Sequence, residues 1–166
     1  MIDQAVDSVR ERSLIILEGC DGVGKSTIAR YMAEALHLPV RFSSRTPATV
    51  EMYAAYMALI RDSGRRVWDR SFVSEHVYGP ILRDRSILSL TQTIALSAEV
   101  AKHDGIFVLV STRSDVLYCR LQVRKGTDMW EKSLIEKISL RYRRTFSKIR
   151  GVCPVVDVDT TYWDDK

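Results

Sequence analysis

The chain has 166 residues, of which 46% are apolar and 28% are charged, and these values fit one compact globular domain rather than a disordered or fibrous chain. No apolar run approaches the roughly 18–20 residues of a membrane-spanning helix, and the first residues do not resemble a signal peptide, so we expect a cytoplasmic protein without a membrane partner. The net charge of +4 comes from short basic clusters rather than one long run, so a nucleic-acid partner is not favoured.

Apolar runs and helical patterns alternate from the beginning of the chain. Residues 13–18 (SLIILE) form a short apolar run that ends at a glycine-rich loop, which is typical of a buried strand. From Lys25 the apolar residues recur with a helical period, and Pro39 ends this predicted helix. Residues 40–43 then have the pattern of a second strand.

The middle of the chain continues this alternation. Pro47 opens a second predicted helix and Gly64 ends it, after which residues 66–69 (RVWD) form a third short strand. Helical patterns then continue up to Lys102. The next run, residues 106–110 (IFVLV), is the most apolar strand of the chain, so we expect it at the centre of a sheet.

Two helices and one strand complete the predicted order. The helices are residues 115–124 and 131–149, and the strand is residues 155–158, whose alternating Val and Asp indicate a less buried position. We therefore predict an α/β protein with a five-stranded parallel sheet flanked by helices on both faces, in a single domain spanning residues 1–166. Right-handed crossovers bring the carboxyl ends of parallel strands to one edge, where ligands bind.

A phosphate-binding loop follows the first strand. The pattern Gly19-x4-Gly24-Lys25-Ser26 stands between a predicted strand and a predicted helix, which is the context that this motif requires. Glycines allow the backbone N–H groups to approach phosphate, the lysine adds a mobile positive charge, and the serine hydroxyl can bind Mg²⁺. The residues predicted to bind the phosphates of ATP are Gly19, Gly22, Val23, Gly24, Lys25, Ser26 and Thr27.

The loop alone does not define a reaction, because GTPases, motor ATPases and small-molecule kinases share it. The chain is too short for the additional domains of a motor, and it lacks the Asn-Lys-x-Asp pattern with which GTPases recognise guanine. These two features favour a kinase, in which several arginines should converge on the transferred phosphoryl group.

Four stretches resemble the thymidylate kinases in order and spacing. They are residues 17–27 (LEGCDGVGKST), Arg45-Thr46-Pro47, residues 69–78 (DRSFVSEHVY) and Arg120-x3-Arg124-Lys125-Gly126. The resemblance extends over nearly the whole chain. It implies the P-loop kinase fold with a short lid around residues 120–130, ATP as the phosphoryl donor and Mg²⁺ as the cofactor.

The resemblance implies roles for four residues around the acceptor. Asp21 would accept a hydrogen bond from the 3′-hydroxyl of a deoxyribose. Arg45 and Arg70 would bind the acceptor monophosphate, because the planar guanidinium matches phosphate oxygens. Asp69, at the end of the third strand, would hold Mg²⁺ together with Ser26, partly through water, or would orient the acceptor.

Four further positions match the family. Arg120 and Arg124 share one helical face, and in a lid they would close over the β- and γ-phosphates. The alternative for both is a solvated basic face. Ser74 and Tyr78 match positions near the acceptor, where the aromatic ring lies by the sugar and favours deoxyribose. Core packing is the alternative for Tyr78.

The predicted function is transfer of the γ-phosphoryl group of ATP to a deoxynucleoside monophosphate, with dTMP or another pyrimidine nucleotide, modified or unmodified, as the first choice. Asp69-Arg70-Ser71 also resembles the Glu-Arg-Ser motif of deoxynucleoside kinases, in which case Asp69 would act as a base on a neutral hydroxyl. A kinase for another small molecule or a polynucleotide end, and an ATP-binding module without turnover, remain as alternatives. The expected partners are nucleotide substrates and a second copy of the chain.

Overall fold

The computed structural model describes residues 2–43, 51–62, 64–123 and 131–163. Its strands form one parallel sheet in the order β2-β3-β1-β4-β5. The strands are β1 (Leu14–Glu18), β2 (Val40–Phe42), β3 (Arg66–Asp69), β4 (Gly105–Ser111) and β5 (Val155–Asp159). The predicted five-stranded parallel sheet is therefore confirmed, and each strand end lies within one residue of its predicted position.

Helices cover both faces of this sheet. In the described part of the chain they are α1 (Ile2–Val9), α2 (Lys25–Leu36), α3 (Met52–Arg61), α4 (Phe72–Leu82), α5 (Leu90–Lys102), α6 (Ser114–Val123) and α7 (Lys132–Ile149). One group contains α2, which contacts β1 and β3, and α1, which contacts α2 and β5. The other group contains α5, which contacts β4, and the helices α3, α4 and α7 that pack around α5. None of the described helices is long and apolar enough to span a membrane.

The centre of the sheet is β1, and the prediction that the most apolar run would be central is wrong. β1 pairs with β3 on one side and with β4 on the other, and all five of its residues are buried. β4 lies one position from the centre, between β1 and β5. β5 is an edge strand of intermediate burial, which confirms its predicted position.

One described helix was not predicted. α1 precedes the first strand, and it buries Ala5, Val6 and Val9 against the rest of the core. α3 begins at Met52, whereas the predicted opening residue Pro47 lies outside the described residues. The carboxyl ends of β1 and β3, which are paired with Leu17 opposite Asp69, place the glycine-rich loop beside the Asp-Arg pattern.

Candidate active site

The glycine-rich loop connects β1 to α2 in a conformation that requires glycine. Gly19 has a φ of 149°, and a Cβ atom there would lie 2.1 Å from the Val110 carbonyl oxygen. Gly24 has a φ of 93° and immediately precedes α2. Because α2 begins at Lys25, the positive end of its dipole and its unpaired N–H groups face the loop. The loop and the start of α2 therefore have the arrangement that the predicted phosphate site requires, and the binding itself stays a prediction.

Lys25 folds back across the loop. Its side chain is buried, and its Nζ donates a hydrogen bond to the Cys20 carbonyl oxygen at 2.7 Å. This hydrogen bond holds the buried ammonium group next to the loop backbone. A phosphate bound in the loop would replace some of the groups that now surround the ammonium. The position fits the predicted role of a charge that neutralises transferred phosphate.

Ser26 and Asp69 meet at the carboxyl end of β3. The Ser26 Oγ donates to Asp69 Oδ2 at 2.5 Å, and the carboxylate is almost fully buried. The second oxygen, Asp69 Oδ1, is buried without a hydrogen-bond partner among the residues that the structure describes. A buried carboxylate oxygen without a donor is costly unless a cation or water satisfies it. One hydroxyl and one carboxylate are oxygen ligands of the kind that Mg²⁺ uses beside phosphates and water, so these residues fit this ion.

Asp21, Arg70 and Tyr78 form a second cluster at the same edge. The Arg70 guanidinium forms an ion pair with the Asp21 carboxylate and lies over the Tyr78 ring, 5.7 Å from the ring centroid. The Asp21 backbone N–H donates to the Tyr78 hydroxyl at 2.9 Å. The Arg70 and Asp21 side chains remain 31% and 32% exposed, so a ligand can reach both. The structure thus brings together three of the predicted acceptor residues.

Glu18 is a site residue that the sequence reasoning missed. It is fully buried at the end of β1, directly before the loop. Its Oε1 accepts hydrogen bonds from the N–H and the Oγ of Ser71 at 2.7 and 2.8 Å. Its Oε2 accepts from Ser74 Oγ at 2.7 Å and from the Tyr142 hydroxyl at 3.2 Å. The available signal was one acidic residue at the end of an otherwise apolar strand.

Burial and hydrogen bonding have opposite effects on the Glu18 carboxyl. Burial raises its pKa above the ordinary value, while the Ser74 and Ser71 hydrogen bonds and the Arg70 charge lower it in part. The same contacts change the interpretation of Ser74, because its hydroxyl is bonded to Glu18 in this structure and does not extend freely toward an acceptor. Its predicted contact with the acceptor stays a prediction.

Arg120 is bound to the segment that follows β5. Its guanidinium donates to Thr160 Oγ1 at 3.0 Å, to the Thr160 carbonyl at 2.8 Å and to the Trp163 carbonyl at 2.7 Å. Thr160 Oγ1 in turn donates to the Val23 carbonyl of the glycine-rich loop at 2.9 Å. These contacts hold Arg120 beside the loop in this structure, and its predicted role over the β- and γ-phosphates stays a prediction.

Several predicted residues lie outside the described part of the chain. Arg45, Arg124 and Lys125 are among them, as is most of the predicted lid. Their predicted roles are neither supported nor opposed by the geometry. Thr27 is described and follows the loop as an exposed residue in the first turn of α2.

No protein-family model and no curated protein matches this sequence. Among solved structures, the YorR protein of Bacillus subtilis in complex with phosphorylated GDP superposes with a TM-score of 0.77 and 27% identity, covering 91% of this chain and 88% of that one. Deoxyadenosine kinase from M. mycoides with bound dCTP has a TM-score of 0.62 and 16% identity, covering 88% and 89%. Shikimate kinase from Acinetobacter baumannii has a TM-score of 0.54 and 15% identity, covering 94% and 88%. The chain therefore has the fold of P-loop kinases.

Proposed function

We propose that this protein transfers the γ-phosphoryl group of ATP to the 5′-phosphate of a deoxynucleoside monophosphate, with dTMP or another pyrimidine nucleotide as the first choice. The observation that carries the proposal is the Arg70–Asp21 pair beside the phosphate-binding loop. A loop of this kind accounts for a donor triphosphate. A guanidinium and a carboxylate next to it suit a second ligand that has both a phosphate and a hydroxyl group.

The donor side consists of the loop and the start of α2. Backbone N–H groups of the loop would bind the β- and γ-phosphates, and Lys25 would neutralise charge on the γ-phosphoryl group as it moves. The bond between the γ-phosphorus and the bridging oxygen breaks, a new bond forms to an oxygen of the acceptor phosphate, and ADP leaves. Ser26 and Asp69 would hold Mg²⁺, which supplies charge neutralisation at the phosphates when bound.

The acceptor side consists of Asp21, Arg70 and Tyr78. Arg70 would exchange part of its ion pair with Asp21 for the acceptor phosphate, and Asp21 would accept a hydrogen bond from the sugar hydroxyl. Tyr78 supports both residues, through its hydroxyl toward the Asp21 N–H and through its ring beneath Arg70. Because a phosphate acceptor is already an anion, this reaction needs alignment and charge neutralisation more than a strong base.

A nucleotide acceptor is also supported by the similarity to the YorR protein, whose structure contains phosphorylated GDP. This similarity supports a nucleotide as the ligand and does not indicate which base the nucleotide carries. The preference for a pyrimidine comes from the resemblance of the motifs to those of thymidylate kinases. We propose in addition that the enzyme is cytoplasmic, that the lid around residues 120–130 closes over the donor, and that two copies associate as a dimer.

One observation favours a second candidate function. Asp69 Oδ1 is buried and lacks a hydrogen-bond partner among the described residues. A carboxylate oxygen of this kind could accept a proton from a neutral 5′-hydroxyl. The protein would then be a deoxynucleoside kinase, with the same donor site and the same Arg70.

The test is a panel of acceptors incubated with the purified protein, ATP and Mg²⁺. The panel contains dTMP, dUMP, dCMP, dAMP, dGMP, their ribose forms and thymidine, and both ADP and the product are followed. The Lys25→Ala variant is the control for contaminating kinases. A diphosphate from one or a few deoxynucleotides would support the proposal and identify the base. Phosphorylation of thymidine alone would favour the second candidate. No transfer to any acceptor, with ATP still bound, would contradict both.

A further inference from the structure

Arg70 has an unusual backbone conformation for its residue type. Its φ is 72°, in the left-handed region, which costs a residue with a side chain about 1–2 kcal/mol. Strain of this kind persists only where neighbouring contacts hold the backbone in place. The contacts that surround residue 70 therefore indicate what keeps its side chain directed at the candidate active site.

The backbone is held on both sides of this residue. The Arg70 N–H donates to the Leu17 carbonyl at 3.0 Å, which continues the pairing of β1 with β3. The Arg70 carbonyl accepts from Ser43 Oγ at 2.6 Å. The next N–H group along the chain, that of Ser71, donates to a side chain, with a distance of 2.7 Å to Glu18 Oε1. Two side chains thus hold the peptide that follows the strained residue, Ser43 at its carbonyl and Glu18 at its N–H group.

The carboxylate of Glu18 is itself held rigidly. The Ser71 hydroxyl donates to Oε1, and the hydroxyls of Ser74 and Tyr142 donate to Oε2. These donors come from the turn before α4, from α4 and from α7, so the carboxylate connects three parts of the fold at the end of β1. A buried carboxylate is retained only with such compensation, and apolar packing alone would not require one here.

We propose that Glu18 is a positioning residue for phosphoryl transfer, which holds the Arg70–Ser71 peptide so that the Arg70 guanidinium faces Asp21 and the acceptor phosphate. The proposal rests on the proposed function, because it is Arg70 that binds the acceptor. Glu18 acts through backbone geometry and takes no proton from the substrate. Both of its oxygens already accept two hydrogen bonds each, which occupies the lone pairs that a base would need.

The proposal distinguishes Glu18→Gln from Glu18→Ala. In Glu18→Gln the amide oxygen can still accept from the Ser71 N–H and hydroxyl, while the amide NH₂ can donate to the hydroxyl oxygens of Ser74 and Tyr142. We expect this variant to keep kcat/KM for the acceptor within roughly fivefold of wild type. Glu18→Ala frees the peptide, and we expect a loss of about 100-fold, the size that a displacement of about 1 Å can cause. Because ATP does not contact Arg70 in this account, KM for ATP should change little.

A double-mutant cycle tests whether Glu18 acts through Arg70. Once Arg70→Lys has removed the planar guanidinium, adding Glu18→Ala should cost less than about threefold more, because two residues that act as one unit are not additive. Tyr142→Phe is the matched control. It removes one hydrogen bond at Oε2 and leaves the Ser71 contacts at Oε1, so it should change kcat/KM by less than about fivefold.

Two different measurements distinguish a failure of this proposal from a failure of the proposed function. Wild-type activity on the acceptor panel tests the function, while crystal structures of Glu18→Gln and Glu18→Ala test the geometry without any substrate. We expect residue 70 to stay left-handed in the first and to leave that conformation in the second. If Glu18→Ala does not fold, Glu18→Leu provides the second test, since leucine fills a similar volume but offers no acceptor to the Ser71 N–H group. An inactive but folded Glu18→Gln, additive losses with Arg70→Lys, or an unchanged residue 70 in Glu18→Ala or Glu18→Leu would each overturn the proposal.

Discussion

Two substitutions separate the strained backbone of Arg70 from the proposed ligand-binding role of its side chain. Arg70→Ala and Arg70→Gly both remove the guanidinium, its ion pair with Asp21 and its contact with the Tyr78 ring. Both should therefore lower kcat/KM for the acceptor by at least ~100-fold, the scale of a lost electrostatic contact to a reacting group. The two variants differ only in how well residue 70 tolerates a φ of 72°.

The difference in stability between Arg70→Ala and Arg70→Gly follows from the φ of residue 70. A left-handed residue with a Cβ costs about 1–2 kcal/mol, and glycine avoids this cost in the folded state. The greater freedom of glycine in the unfolded chain offsets about 0.5–1 kcal/mol of the gain. Arg70→Gly should therefore be about 0.5–1 kcal/mol more stable than Arg70→Ala, which is a Tm difference of about 1–4 °C for a chain of this size.

The assay combines calorimetric unfolding with steady-state kinetics on the best acceptor. The lost Arg70–Asp21 ion pair is common to both variants, and its worth of about 0–1 kcal/mol for partly exposed groups cancels in the comparison. An Arg70→Ala protein that is more stable than Arg70→Gly would contradict the left-handed backbone. Activity within about tenfold of wild type in either variant would contradict the role of the guanidinium.

Three further predictions concern the other groups of the site. Lys25→Ala should lower kcat with ATP by at least ~100-fold, while the exposed Lys102→Ala control keeps wild-type rates; a smaller loss would remove Lys25 from the transfer step. Asp69→Asn should raise the Mg²⁺ concentration needed for half-maximal activity, measured by titration with Mg²⁺ at saturating ATP, and an unchanged requirement would exclude Asp69 from the metal site. The raised pKa of Glu18 predicts that wild-type stability falls relative to Glu18→Gln as the pH rises above 4.5, because the folded state binds this proton more tightly than the unfolded state. Urea unfolding of both proteins between pH 4.5 and 7.5 measures the difference, and a constant gap would contradict the shift.

The sheet could be predicted because each strand is a short apolar run beside a turn signal. The order of the strands could not be predicted from how apolar each strand is. β1 contains Glu18 and still occupies the centre, while the more apolar β4 lies beside it. α1 was missed because its buried face consists of three small residues within eight. A pattern that short does not stand out from the polar residues around it.

In the candidate site, too, some contacts could be predicted from the sequence and others could not. The meeting of Asp21 with Arg70 follows from two motifs at the ends of neighbouring strands, so local patterns were sufficient. The role of Glu18 depends on partners 53, 56 and 124 residues away, and no local spacing indicates them. Arg120 likewise finds its hydrogen-bond partners 40 and 43 residues later, so helical spacing could not indicate the contacts that hold it beside the loop.

In the proposed reaction a phosphate group, and not a hydroxyl, receives the γ-phosphoryl group. Phosphorus NMR of a mixture of the protein, ATP, Mg²⁺ and the best acceptor of the panel distinguishes the two acceptors. We expect two coupled resonances of a new nucleoside diphosphate, which grow in equal proportion to ADP and are absent with Lys25→Ala. Growth of a monophosphate from a nucleoside, or of inorganic phosphate alone, would contradict the proposed reaction.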